Sequence, residues 1–260
     1  MNAYKIGIVG AGNVGIHLAN AFSHVPENSV FLYARSEIDQ RHIDKLPGVQ
    51  FTDDILFTKE KPDVVILAVN DENIAELSKI FKDAEYLLLH TSGSISLDTL
   101  LKNKSNHCGI LYPLQSFSLQ RKLDYSQIPF LIESCNSEDL SRIHNLVSSI
   151  GAKWTEVNSE ERKKIHVSAV IVNNFVNHLY TLGADYLNKN DLSFELLIPL
   201  INETTSKLAD DEPAKLQTGP AKRGDLSVIK EHLNLLENHP QLRNLYKSFS
   251  DSISNFHRKS

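Results

Sequence analysis

The sequence is poor in the features that mark secreted, membrane-bound or nucleic-acid-binding proteins. It has two cysteines among 260 residues, Cys108 and Cys135. Two thiols are too few for a disulfide scaffold, and their spacing does not suit a metal site. Both are expected to be buried and reduced, with no metal bound. No apolar run approaches the length of a bilayer span; the best is "VVILAV" at 64–69. The opening "MNAYKIGIVG" passes straight into a strand pattern, without the basic region, apolar stretch and cleavage site of a secretory leader. A net charge of −5 offers nothing to attract nucleic acid or an anionic membrane. No serine sits in G-x-S-x-G, so a nucleophile-elbow hydrolase finds no support. These absences lead to the expectation of a cytoplasmic protein that acts on a small molecule.

What is present is an ordinary globular composition, 41% hydrophobic and 23% charged. Up to about residue 135, short apolar runs alternate with helix-length amphipathic stretches. The strand candidates are "KIGIVG" (5–10), "VFLYA" (30–34), "DVVILAV" (63–69), "YLLLH" (86–90), "CGILY" (108–112) and "PFLIE" (129–133). This alternation predicts an α/β fold, a Rossmann-type doubly wound parallel sheet with helices on both faces. A helix over 137–150 is expected to end at Gly151. From about residue 158 the strand signals stop, and helices are expected over 158–187, 193–209, 225–237 and 239–257. The division is therefore a nucleotide-binding domain over 1–153 and an all-α C-terminal domain over 154–260.

"GIVGAGNVG" puts Gly10, Gly12 and Gly15 in G-x-G-x-x-G register between a strand and a helix pattern. Gly10 permits the tight turn, Gly12 lets a pyrophosphate approach the backbone, and Gly15 lets helix pack on strand. Ala11, Asn13 and Val14 complete the loop. An NAD site places an acid at the end of the second strand, about twenty residues on. Here that region reads "FLYARSEIDQR", and Arg35 and Ser36 suit a 2′-phosphate, which selects NADP(H). Glu37 stands close by as the counter-indication. Ligands sit beyond the carboxyl ends of parallel strands, so Val69, Asn70, Thr91 and Ser92 are further cofactor candidates. Ser92–Gly93 is equally well read as a plain turn. Tyr112, Gln115 and Ser116 are placed to face a substrate.

The helix beginning near 159 is apolar around almost its whole cylinder, and such a helix is normally buried. Yet Arg162, His166, Asn173 and Asn177 fall within a stripe about 60° wide at about 100° per residue. Asn174 lies on the neighbouring face. The stripe either bonds helix to helix or faces the nucleotide crevice, with His166 as acid/base and an asparagine orienting the reacting group. In "QTGPAKRGD" (217–225), Gly219 and Pro220 predict a sharp turn, and Asp225 an N-cap. Arg223 either pairs with an acid or anchors a carboxylate or phosphate at the substrate crevice.

Together the glycine loop, "LLLHTSGS", "GILYPLQSFS", the "KKIH…NNF" helix and "TGPAKRGD" resemble the Rossmann-like family with a C-terminal domain of unknown function 2520, over essentially the whole chain. The layout is more distantly similar to deazaflavin-dependent NADP reductases, ketopantoate reductase, pyrroline-5-carboxylate reductase and β-hydroxyacid dehydrogenases. The resemblance implies an NADP(H)-dependent oxidoreductase, and a homodimer formed through the helical domain. The β-hydroxyacid dehydrogenases carry a lysine one turn before an asparagine on this helix. Here Val170 precedes Asn174, so that pair is not reproduced, and His166 is the nearest polar candidate. The expected catalytic set is His166, Asn174 and Arg223. The expected reaction is hydride transfer to or from a carbonyl or imine carbon of a small anionic substrate. An NADP(H)-binding sensor without turnover, or reduced deazaflavin as the substrate, are the alternatives.

Overall fold

The computed structural model describes residues 3–36, 38–44, 46–82, 85–102 and 107–258. The chain divides into two compact units, Met1–Asn174 and Phe175–Ser260.

The first unit is built on an eight-stranded sheet in the order β3-β2-β1-β4-β5-β6-β7-β8. The strands are β1 (Lys5–Val9), β2 (Ser29–Tyr33), β3 (Val49–Thr52), β4 (Val64–Leu67), β5 (Leu87–His90), β6 (Cys108–Pro113), β7 (Pro129–Ser134) and β8 (Lys153–Glu156). Every residue of β4 and β5 is buried, as continuous apolar runs in a sheet covered on both faces require. One face packs Ile6, Ile8 and Ile66 against Leu18 and Phe22 of helix α1 (Asn13–Ser23) and Leu146 of α5 (Ser137–Ser149). The other packs Val65, Leu67 and Leu88 against Ile74 of α3 (Asp71–Ile80) and Leu100 of α4 (Asp98–Leu101). A short α2 (Gln40–Ile43) lies between β2 and β3. Each large aliphatic side chain so enclosed contributes about 1.5–3 kcal/mol. The doubly wound α/β expectation is met, and Gly151, at φ 72°, stands just past α5 as a left-handed cap.

The structure corrects the sequence reading in several places. β3 and β8 carry no long apolar run, and both were missed. β7 runs antiparallel to β6, whereas all other neighbouring strands are parallel. A parallel return needs a crossover, usually a helix. The segment between these strands holds only a 3₁₀ turn at Tyr125–Gln127, so the chain doubles back. Cys108 is buried, but Cys135 is only partly so.

The helix α6 (Ser159–Ala169) opens with a complete capping box between Asn158 and Glu161. It runs into a π-helical turn, Val170–Phe175, and then α7 (Val176–Asn188). The wider turn takes up an additional residue, so a stripe drawn at 100° per residue does not carry across it. The expectation of burial also fails here: Val167, Ile171, Val172 and Phe175 are 52–69% exposed in the single chain.

The second unit continues with α8 (Ile198–Ser206), α9 (Pro213–Leu216), α10 (Pro220–Arg223), α11 (Leu226–Leu235) and α12 (Pro240–His257). Only Ala221, Leu236 and Ser250 are buried among its described residues. Leu196, Leu200, Leu226, Leu235 and Phe256 are all more than 60% exposed. No helix among the described residues is long and apolar enough to cross a membrane.

Candidate active site

The glycine turn connects β1 to α1 at the carboxyl edge of the sheet. Gly10 has φ +111°, and a Cβ there would lie 2.3 Å from the carbonyl oxygen of Ala68. Gly12 is the N-cap of α1 and offers no side-chain cap. A Cβ on Gly12 would meet nothing within 4 Å, so its side is open. An uncapped helix start beside an open glycine is a cradle for a phosphate, because backbone N–H groups and the helix dipole both favour an anion.

A cavity of about 620 Å³ opens beside this cradle. Of the cofactor candidates, Gly10, Ala11, Gly12, Arg35, Ser36, Val69 and Asn70 line it. Arg35 and Ser36 are exposed at the end of β2, while Glu37 lies outside the described residues. Asp39, Asn73 and Glu76 also line the cavity and were not foreseen. Asp39 lies beyond the strand end where the sequence motif looks for an acid. The other candidates are not part of this lining. Asn13 donates from Nδ2 to the carbonyl of Phe117 at 3.0 Å, and Val14 packs on the core. Gly15 lets α1 sit on the turn. Thr91 donates its N–H to Leu67 O at 3.2 Å. The Ser92 hydroxyl accepts from the N–H groups of Ser94 and Ile95 at 3.1 and 3.0 Å, so it builds the turn after β5. A smaller cavity of about 450 Å³, bordered by Phe57, Asp63, Tyr86 and Arg142, opens at the amino edge of the sheet.

The segment after β6 is tied down over α1. Besides the Asn13 contact, His17 Nε2 lies 3.0 Å from Ser118 O, and Tyr125 donates its hydroxyl proton to His17 O at 2.7 Å. Burial raises the Tyr125 phenol to about 12, so it remains a donor.

Of the predicted polar stripe, Arg162 is completely buried and serves the fold. Its guanidinium pairs with Glu133 and donates to Ile95 O and Ser159 Oγ. His166, one turn further on, is half-buried, and its Nδ1 lies 2.9 Å from the hydroxyl of Tyr112 on β6. Asn173, Asn174 and Asn177 are exposed. The π turn brings Asn174 toward the phase that Asn173 would hold in a regular helix. Spacing alone could not have paired Tyr112 with His166, which lie 54 positions apart.

His90, the last residue of β5, has no exposed surface. Its Nδ1 accepts from the Ser92 N–H at 3.2 Å, and burial, reinforced by the Arg162 cation, lowers its pKa to about 3. His90 is therefore a neutral structural imidazole. In the second unit, Gly219 and Gly224 have φ of 102° and 76°, so the turn around Pro220–Arg223 needs both glycines. Asp225 stands at the N-cap of α11 but makes no capping bond. Its carboxylate instead accepts from Arg223 Nε at 2.8 Å, so the acid-pairing reading of Arg223 describes this conformation.

Comparison with known proteins agrees with this layout. A family described as "Rossmann-like domain" matches residues 2–117, and one described as "Domain of unknown function (DUF2520)" matches residues 128–253. A Bacteroides fragilis protein named "putative NADP oxidoreductase" is 35% identical, with a TM-score of 0.89 over 97% of this chain and 98% of that one. A Plasmodium falciparum pyrroline carboxylate reductase with NADP bound shares the fold at a TM-score of 0.66 and 16% identity, covering 99% of both chains. A pyrroline-5-carboxylate reductase of Aquifex aeolicus (strain VF5) is 26% identical over 98 residues, which is 38% of this chain and 37% of that protein's length. Likeness over the full length to the Bacteroides protein, with matches to both halves, places this chain in the family that joins a Rossmann-like domain to the C-terminal domain of unknown function (DUF2520).

Proposed function

We propose that this protein is an NADP(H)-dependent oxidoreductase that transfers a hydride to or from a carbonyl or imine carbon of a small anionic substrate. The observation that carries this reading is the open Gly12 cradle, which borders a cavity that Arg35 and Ser36 also line. The resemblance to a protein named as an NADP oxidoreductase supports it. Gly10, Ala11 and Gly12 hold the pyrophosphate, with Asn13, Val14 and Gly15 shaping the turn and helix start behind it; Arg35 and Ser36 hold the 2′-phosphate, and Val69 and Asn70 the ribose and nicotinamide, on a floor built by Thr91 and Ser92. Bound there, the reduced dinucleotide supplies the hydride. His166 manages the matching proton, Asn174 orients the reacting group, and Arg223 leaves Asp225 to bind the substrate anion. Residues 1–153 bind the cofactor, and 154–260 form the substrate and dimerisation domain.

A second copy of the chain covers the helical unit. Apolar residues this exposed on a unit with so little core need an apolar partner, and the same face of another copy supplies one. A chain with only two cysteines suits a cytoplasmic enzyme.

The deciding experiment is calorimetric titration of nucleotide-stripped protein with NADPH and with NADH at fixed salt. Micromolar or tighter binding of NADPH with much weaker NADH is expected. Failure to bind either removes the basis of the proposal.

A further inference from the structure

Gly93, Tyr112 and His166 belong to three different elements: the turn after β5, the carboxyl end of β6, and α6. They meet at one point. The two rings pack edge to face, with centroids 5.7 Å apart and an interplanar angle of 79°. A Cβ on Gly93 would stand 2.6 Å from His166 Nδ1 and 2.9 Å from Tyr112 Cζ. Only glycine fits there, so the β5 turn is shaped around the bonded pair. His166 Nε2 has no hydrogen-bond partner among the described residues.

Tyr112 lies on the sheet face whose cluster includes Val9 and Val69, two residues that also line the nucleotide cavity. The charged groups acting on its phenol are Asp71 of α3 and Arg162 of α6. Burial chiefly raises its pKa, Asp71 adds to that, and Arg162 opposes it, so the phenol carries its proton at neutral pH.

We propose that Tyr112 is a catalytic residue: its hydroxyl gives the proton to the substrate heteroatom, and His166 replaces it. The inference rests on the oxidoreductase reading above. As hydride reaches the carbonyl or imine carbon, the heteroatom takes the electron pair of the former double bond. The Tyr112 O–H bond breaks and a heteroatom–H bond forms. The Nδ1–H bond of the His166 imidazolium breaks and the phenol O–H re-forms. A neutral imidazole remains, its Nδ1 accepting from Tyr112. After product leaves, a solvent proton returns to the phenol oxygen while the phenol proton passes back to Nδ1. In oxidation every step runs in reverse. This arrangement divides the labour: the phenol supplies reach and orientation, and the imidazole supplies the replacement proton.

The test begins without a substrate. Nitrogen-15 NMR of His166 is followed from about pH 5 to about pH 9 in wild type and Tyr112→Phe, with and without NADPH. The variant removes one oxygen and preserves the ring. A shared proton is expected to move the His166 midpoint by about half a pH unit or more on its removal, with a change at Nδ1 larger than at Nε2. Superimposable titrations in the two proteins overturn the pair. NADPH affinity, measured on the same samples, reports separately on the oxidoreductase reading, because the apo titration tests the pair whether or not the cofactor binds. With pyrroline-5-carboxylate or an α-keto acid as probe, Tyr112→Phe is expected to lower kcat about 100-fold with KM for NADPH unchanged. Gly93→Ala should reproduce both the NMR and the kinetic change by forcing the rings apart. Undiminished turnover of either probe by Tyr112→Phe overturns the assignment.

Discussion

The carbonyl oxygen of Gly10 occupies the place where a side chain of Gly15 would begin: a Cβ on Gly15 would stand 1.9 Å from it. Gly12, between them, faces open space. The glycines of one motif therefore answer to different constraints, and substitution separates them. Gly15→Ala collides with backbone that cannot turn aside, and is expected to destabilise the protein by about 3 kcal/mol in urea unfolding. Gly12→Ala should change stability by less than about 1 kcal/mol. It should nevertheless weaken NADPH at least about tenfold in calorimetry, since its methyl group fills the phosphate cradle.

Arg35 is exposed on the cavity wall, with no acid at the end of β2 itself. Arg35→Glu would replace the proposed charge-assisted bond to the 2′-phosphate with repulsion. The ratio of NADPH to NADH affinity should fall about 10- to 100-fold. An unchanged ratio would remove Arg35 from the site and leave the choice of cofactor to other residues.

His90 makes stability depend on acidity. Its folded pKa is about 3, below the ordinary value of 6.5. Between those limits the unfolded chain binds a proton that the folded one refuses, so stability falls as pH drops below about 6.5, by up to about 1.4 kcal/mol per pH unit. His90→Asn keeps an acceptor for the Ser92 N–H but does not titrate there. Urea midpoints of the variant should therefore fall less steeply from pH 6 to pH 4 (about two units of this window) than those of wild type.

Arg162 has a side chain with no exposure, and its carboxylate partner Glu133 is 16% exposed. Removing the partner strands a buried cation, whereas forming the pair brings little net gain. Glu133→Ala should cost about 3–5 kcal/mol. A loss below about 1 kcal/mol would mean that water reaches the guanidinium in solution.

The proposed second copy over the helical unit would make stability depend on concentration. Sedimentation should show a dimer, and Leu226→Glu, at a position 68% exposed, should shift it toward monomer. A wild-type monomer at micromolar concentration would end the dimer proposal.

Much of the fold was legible because its signals are local. Strand, glycine turn and helix stand consecutively at residues 5–23, and the strands β4 and β5 are unbroken apolar runs. β8, "KWTE", was hidden because an exposed edge strand has no buried face to pattern it. The direction of β7 was hidden because it depends on what a segment lacks, namely a crossover helix. In the candidate site, Arg162 and His166 share a helix face, but the sequence does not say which is buried. The answer depends on Glu133, Ile95 and Tyr112, distant residues brought to α6 by the sheet. The helix beyond Ala169 shows another limit: its apolar surface reads as core, yet Val172 and Phe175 are 69% and 57% exposed in the single chain.

The strand order also has a consequence for assembly. Pairings on either side of the sheet join residues close in sequence, such as Ile6 with Val30 or Val64 with Leu87. The pairing of β1 with β4 joins Ile6 to Val64, across the whole of β2 and β3. Such a distant closure costs the most chain entropy and is expected to form late. The seam it makes ends in Gly10 on one strand and Ala68 on the other, at the mouth of the nucleotide cavity. A dinucleotide held there would clasp the two halves of the sheet together. Its binding should slow amide exchange most along β1 and β4, so that the ligand acts as the last piece of the folding core.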